Sequence, residues 1–268
     1  SEVINYSFIS PSMSIMMGED IKTVDVQNPL SIEMSVMRTS LLPGLLQNLM
    51  YNLQRQNENI KLFESAKAFI VNNKINKEKD VIAGISYGFK AAEQWGLESN
   101  PVDFYDVKGD LELLFSSFEI KDQISFKKDS HPMLCPGKNA MIELNGLNIG
   151  HVGELNPELT MDLDLIQNPI LFEIDKEHLQ LPSQTNYQGH QYFPSSRRDI
   201  SLLTLENQEI SAILTTIKQL EIPILKNIII FDVYKGKNIE SGRKSVALGL
   251  IFQAKSRTLT DEEIDRYV

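Results

Sequence analysis

Leu225-Lys226-Asn227-Ile228-Ile229-Ile230-Phe231-Asp232-Val233-Tyr234 and Lys244-Ser245-Val246-Ala247-Leu248-Gly249-Leu250-Ile251-Phe252-Gln253 are separated by the polar, glycine-containing interval 235–243. Both runs are rich in β-branched and aromatic residues, and the interval supplies turn chemistry, so together they read as a β-hairpin. Upstream, residues 199–205 alternate as a strand and 210–220 keep helical spacing. Downstream, Thr260 followed by Glu263 is a capping box, the signature of a helix that has just started. The order is β-α-β-β-α, a split βαβ that lacks one strand.

Supplying that strand gives a ferredoxin-like (βαββαβ) fold. The stretch 181–193 is polar, contains Pro and Gly and has no periodicity, so the domain boundary belongs there. Ahead of it the chain alternates between element types. Residues 3–9 alternate like a strand. Residues 40–53 form the clearest helix, with apolar positions 42, 45, 46, 49 and 53, Ser40 as its cap and Pro43 in the first turn. Strands are expected at 61–71 and 81–89 around a polar turn at 72–79, a second helix at 106–118 and a buried strand at 169–175. Asn145-Gly146 marks a tight hairpin between 139–144 and 147–152. Antiparallel strands with helices laid on one side define an α+β body. Ser1 is not a methionine and the helix opened by Thr260 has fewer than three turns, so the chain reads as cut at both ends.

With 268 residues, 42% apolar and 23% charged, the composition is globular and excludes a disordered or fibrous chain. The one cysteine, Cys135, excludes a disulfide framework, and no run approaches the ~20 apolar residues of a membrane helix. With no signal peptide, the expected setting is the reducing cytoplasm. The net charge of −10 is unevenly spread. Residues 193–268 carry 11 basic and 10 acidic groups, against 15 and 26 in residues 1–192. Residues 226–257 alone hold seven basic and two acidic groups. Such local asymmetry points to phosphate contact, although Lys and Arg that solvate strand edges give the same pattern.

Catalytic signatures are absent. Gly137-Lys138 and Gly236-Lys237 lack the earlier glycine of a P-loop, and no Gly-x-Gly-x-x-Gly occurs. His131, His151, His178 and His190 are too scattered for a local metal motif. Cys135 reads as a small apolar residue rather than a nucleophile partnered by His131. Glu154, Glu173 and Asp175 have the chemistry of general acids or bases, and equally that of strand-edge charges. An autonomous ligase or hydrolase would have to rest on Glu154, Glu173 and His131.

Several segments, in order along nearly the whole chain, resemble the C-terminal half of the bacterial phenylalanyl-tRNA synthetase β-subunit family. They are Asn28-Pro29-Leu30-Ser31, Met37-Arg38-Thr39-Ser40-Leu41-Leu42-Pro43-Gly44, Leu62-Phe63-Glu64 and Phe104-Tyr105-Asp106-Val107-Lys108-Gly109. They continue with His131-Pro132, Gly150-His151-Val152-Gly153-Glu154-Leu155-Asn156-Pro157 and Phe172-Glu173-Ile174-Asp175. In the tail they are Phe193-Pro194-Ser195-Ser196-Arg197-Arg198-Asp199-Ile200, Phe231-Asp232-Val233-Tyr234, Gly242-Arg243-Lys244-Ser245 and Arg257-Thr258-Leu259-Thr260-Asp261-Glu262-Glu263.

The resemblance implies a class II synthetase-like antiparallel sheet with flanking helices at 1–182, a linker at 183–192, and a truncated ferredoxin-fold anticodon-binding domain at 193–268. It implies that the first module has lost its activity. A working class II site needs an arginine that clamps the adenylate, because its charge must be offset. The comparable segment here ends Lys67-Ala68-Phe69-Ile70, and the glycine-rich Glu-Arg motif that supports adenine is missing. Asp106 and Lys108 are then structural polar contacts. ATP and Mg²⁺ would serve the assembled enzyme and no cofactor this fragment. The implied partners are the catalytic α subunit, in an (αβ)2 heterotetramer, and tRNA(Phe). The family's oligonucleotide-type barrel and its editing domain for mischarged tyrosyl-tRNA have no counterpart in these residues. The same modules would also suit a free-standing RNA-binding or regulatory protein. The expected interface to α is the helix surface at Leu49, Met50 and Tyr51. The expected tRNA contacts are Arg197, Lys235, Lys237, Arg243 and Lys244, with Tyr234 stacking on an unpaired base or, alternatively, packing on the linker.

Overall fold

The computed structural model describes residues 1–18, 21–72, 75–180, 193–237, 239–254 and 256–268; the expected linker at 183–192, and His190 with it, lies outside them. The chain divides into two compact units, residues Ser1–Thr185 and Asn186–Val268.

In the first unit a two-stranded ribbon pairs β1 (Phe8–Ile9) with β2 (Val36–Met37), and the short helix α1 (Pro11–Ile15) lies between them in sequence. The strand expected at 3–9 is thus only two residues long. Helix α2 (Leu42–Leu53) leads into a six-stranded antiparallel sheet. Its strands are β3 (Ile60–Asn72), β4 (Ile75–Tyr87), β5 (Ile124–Lys127), β6 (Leu134–Leu144), β7 (Leu147–Leu155) and β8 (Ile170–Asp175). Their order is β3-β4-β8-β7-β6-β5. Helix α3 (Phe104–Ser117) joins β4 to β5, and α4 (Pro157–Asp162) joins β7 to β8.

Strand alternation explains how the sheet holds two cores. In β4, Val81, Ala83 and Ile85 join Leu42, Leu45, Leu46 and Leu49 of α2. Ile82 of β4 joins Ile170 and Ile174 of β8, and Val107, Leu111 and Phe115 of α3, in the second core. The two long helices therefore cover opposite faces, which corrects the expectation of helices on one side. β4 also begins at Ile75 rather than in the eighties. Its first half carries charges on both faces and is held in place by β3 rather than by burial.

The outer edge of β3 is covered. Ser1 N donates to the Lys61 carbonyl at 2.9 Å, Val3 N to Phe63 O at 2.9 Å and Phe69 N to Arg38 O at 2.9 Å. A covered edge removes a template for unwanted strand pairing.

In the second unit β9 (Ser196–Leu205), α5 (Ile210–Gln219), β10 (Leu225–Tyr234), β11 (Arg243–Phe252) and α6 (Asp261–Asp265) follow the expected order. Strand β11 lies between β9 and β10, antiparallel to both, so β9 and β10 run parallel across it. This is the split βαβ. Leu250, Phe252, Leu259 and Ile264 form its core, with Ile200, Ile228 and Ile224 packed against them.

Candidate nucleic-acid interface

Among the described residues, Arg38, Ser40, Glu64 and Glu173 of the resembling segments in the first unit are paired within the fold. Arg38 is buried with Glu64, at 5% and 1% side-chain exposure, in a 2.8 Å ion pair. Its Nε donates to Lys67 O at 3.0 Å, and Glu64 also accepts from Asn5 N and Nδ2. The arginine next to the β3–β4 hairpin is therefore consumed by the fold. Lys67, where the segment lacks an arginine, pairs with Glu78 on the neighbouring strand.

Glu173 is a half-buried cap, not a strand-edge charge. Its Oε2 accepts from Ser40 Oγ and Leu41 N, both at 2.8 Å, and so closes the start of α2. Leu41, not Ser40, holds the cap position. Burial pushes the Glu173 carboxyl above its usual value, against the two hydrogen bonds that favour its charge. On the other face, a side chain at Gly84 would overlap the Phe172 ring, so that ring fills the space above the hairpin.

Asp103 and Asp106 form a reciprocal capping box at the start of α3, and Lys108 pairs with Glu112. Glu154 binds Lys138 at 2.8 Å and Asn168 at 3.3 Å. The β7–β8 register pairs Glu154 with Ile170 and His151 with Glu173, so Glu154 and Glu173 face opposite sides of the sheet. His131 lies against His151 with ring centroids 4.9 Å apart, and His151 Nδ1 is 2.7 Å from Asp129 Oδ2. Burial, and then the neighbouring His151, bring His131 down to about 4. Glu154, Glu173 and His131 do not converge. Among the described residues, no group of three His, Cys, Asp or Glu is placed to hold a metal ion.

Leu49 is wholly buried in the α2 core and cannot meet a partner. Its spacing from Leu42, Leu45 and Leu46 dictates this. Met50 is half-buried, and Tyr51 is exposed with the Arg55 guanidinium 3.3 Å over its ring.

In the second unit one face of the sheet is covered along its central strand β11, and the other face is open. On β11, Lys244, Val246, Leu248, Leu250 and Phe252 are buried. On β9, Arg198 takes the covered side and binds Asp261 at 2.6 Å and Asp265 at 3.1 Å, which ties the strand to α6. The alternate residues form the open face. Cross-strand neighbours share a face, so the register sets Tyr234 beside Ser245 and Leu203, and Asp232 beside Ala247 and Ser201. The Ser201 and Ser245 hydroxyls are 2.9 Å apart. Phe231 falls at a register shift and is also exposed.

Tyr234 is 47% exposed, and its Oη donates to Lys237 O at 3.3 Å. Lys235 pairs with Glu206 at 2.8 Å and Arg243 with Glu240 at 3.1 Å, all on the surface. These four residues gather at one end of the hairpin. Lys244 does not join them: it is buried on the covered side, and its Nζ donates to Gln208 O at 2.7 Å. The alternation of β11 puts it in phase with the core. Arg197 is also apart, opposite Ile251 and six residues along β9 from Leu203, about 20 Å away. Sequence reasoning missed Ser201, Ser245, Asp232 and Phe231. Alternation could have found the first three, and only the irregular register exposes the fourth.

The same division recurs in the comparisons with known proteins. Residues 1–176 match the family model described as "Phenylalanyl tRNA synthetase beta chain CLM domain". The chain belongs to that family. Residues 192–268 match the model described as "Ferredoxin-fold anticodon binding domain". Among curated relatives, a phenylalanine–tRNA ligase β subunit from Nitrosospira multiformis is 37% identical over 267 residues, covering 100% of this chain and 33% of the relative. Those from Nitrosococcus oceani and Pseudomonas fluorescens are 38% and 36% identical, over 100% and 98% of the chain and 34% and 33% of their own lengths. The chain thus spans about one third of the length of these relatives.

Proposed function

We propose that this chain is the class II-like and anticodon-binding portion of a phenylalanine–tRNA ligase β subunit and contributes no catalytic group. One observation carries the reading: the two family models match in succession along the chain. ATP and Mg²⁺ are then the business of a catalytic α subunit, which charges tRNA(Phe) in an (αβ)2 assembly in the cytoplasm. The first unit supplies the surface for α through Tyr51 and Met50. The second meets tRNA(Phe) at the hairpin end, where Lys235, Lys237 and Arg243 offset phosphate charge and Tyr234 stacks on an unpaired base. Ser245 and Asp232 beside Tyr234 provide hydrogen-bonding groups for the edge of that base.

The test has two arms. The chain alone should catalyse no ATP–pyrophosphate exchange and should not bind a non-hydrolysable phenylalanyl-adenylate analogue in calorimetry; micromolar binding would refute the non-catalytic assignment. It should co-purify with α subunit, and Tyr51→Glu should abolish this without unfolding the chain. A chain that binds RNA but never α would instead be a free-standing RNA-binding protein.

A further inference from the structure

The open face of the second unit carries a second built feature beyond the hairpin end. Phe231 occupies the register shift between Ile230 and Asp232 and stands out from the sheet. The Arg197 side chain crosses the strands from β9, and its guanidinium lies over the Phe231 ring, 4.9 Å from the centroid. The path runs over Gly249, where a Cβ atom would stand 2.9 Å from Arg197 Nε and 3.1 Å from Cζ. Only glycine leaves the strip of sheet that the side chain occupies. Asp199 accepts from Nε at 2.6 Å and fixes the near end. Among the described residues, nothing takes up the two terminal nitrogens.

We propose that Arg197 and Phe231 form a second seat for an unpaired RNA base, which lies on the solvent-facing plane of the Arg197 guanidinium. A guanidinium held flat on an aromatic ring presents a second stacking surface, carries positive charge and has already lost its rotamer freedom. Phe231 and Tyr234 lie three positions apart along the strand, about 10 Å, a span that an unstacked single strand covers. The match of residues 192–268 to the ferredoxin-fold anticodon-binding model favours an RNA base over a protein surface as the occupant. This inference rests on the RNA-binding reading of the same face and changes the role of Arg197 from phosphate contact to base platform.

The whole chain is titrated with an anticodon stem-loop of tRNA(Phe) that carries 2-aminopurine at one loop position at a time. Fluorescence quenching marks a stacked base. Two positions should be quenched, one lost in Tyr234→Ala and the other in Arg197→Lys. Arg197→Lys keeps the charge, so it should weaken binding about tenfold with an unchanged salt slope. Phe231→Leu should lose the same position as Arg197→Lys. Wild-type affinity and quenching in Arg197→Lys and Phe231→Leu would overturn the second seat alone. No binding by the wild-type chain would overturn the reading of the face, and this inference with it.

Discussion

The Arg38–Glu64 pair of the first unit and the Arg198–Asp261 and Arg198–Asp265 pairs of the second use the same chemistry to opposite ends. The first is sealed in the protein, with five further hydrogen bonds to Asn5, Tyr6 and Lys67. The second lies at the surface, where Asp261 and Asp265 are largely exposed. Buried, a charged pair becomes indispensable to the fold; at the surface it is worth little and its members remain accessible. Across the first unit, the residues that carry the family resemblance have been consumed as caps, core pairs and close contacts. The second unit keeps its polar side chains where a ligand can reach them.

The sharpest way to break this contrast is to remove one partner of each pair. Arg38→Ala strands the Glu64 charge and should cost about 3–5 kcal/mol, seen as loss of the first unit's transition in urea unfolding. Arg198→Ala should leave the second unit's transition nearly unchanged, as an exposed pair contributes little. Similar losses in both would show that burial does not separate them.

Acid should strike the first unit through His131. Its folded value near 4 lies below that of an unfolded histidine, so the unfolded chain takes up the proton first. The contribution is whole above about pH 6.5 and is lost as pH falls from there toward 4, by at most about 3 kcal/mol. His131→Phe should flatten that part of the pH–stability curve, and an unchanged curve would exclude His131 as its source.

Somewhat smaller is the effect expected at the α2 cap. Glu173→Ala leaves Leu41 N and Ser40 Oγ without their acceptor and should cost about 1–3 kcal/mol. Glu173→Gln keeps an acceptor oxygen and should recover most of it. Equal losses in thermal unfolding would mean that the charge, not the hydrogen bonds, holds the helix.

Smallest in stability is Lys237→Ala, within about 0.5 kcal/mol. Its signature is functional: the slope of log affinity for tRNA against log salt should flatten by about one unit. A slope identical to wild type would remove Lys237 from the RNA surface.

The second unit was legible because each element carries its own signal: alternation in β9, two β-rich runs around a turn, and the Thr260–Glu263 capping box, which the structure forms on both sides. In the first unit Asn145-Gly146 fixed the β6–β7 hairpin, with Asn145 and Gly146 both in the left-handed region as that turn demands. The polar start of β4 has no apolar alternation and exists only through its pairing with β3. The four-residue register break in β6 between Leu134 and Asn139 likewise hid a strand that runs from Leu134. The faces taken by α2 and α3 follow from which residues of β4 each helix covers, a tertiary fact. At the interface, residue type pointed to Lys235 and Tyr234. The misplacement of Lys244 and Leu49 was avoidable, since both are in phase with neighbouring core residues.

The bond between Leu41 N and Glu173 spans 132 residues of sequence. During synthesis at roughly 5–20 residues per second, the start of α2 leaves the ribosome on the order of ten seconds before the carboxylate that caps it. Until β8 arrives, the first turn of the helix stays open, although β4 already covers its leucine stripe. Closure of that first turn therefore belongs to the last stage of folding of the first unit, after the helix has docked on β4.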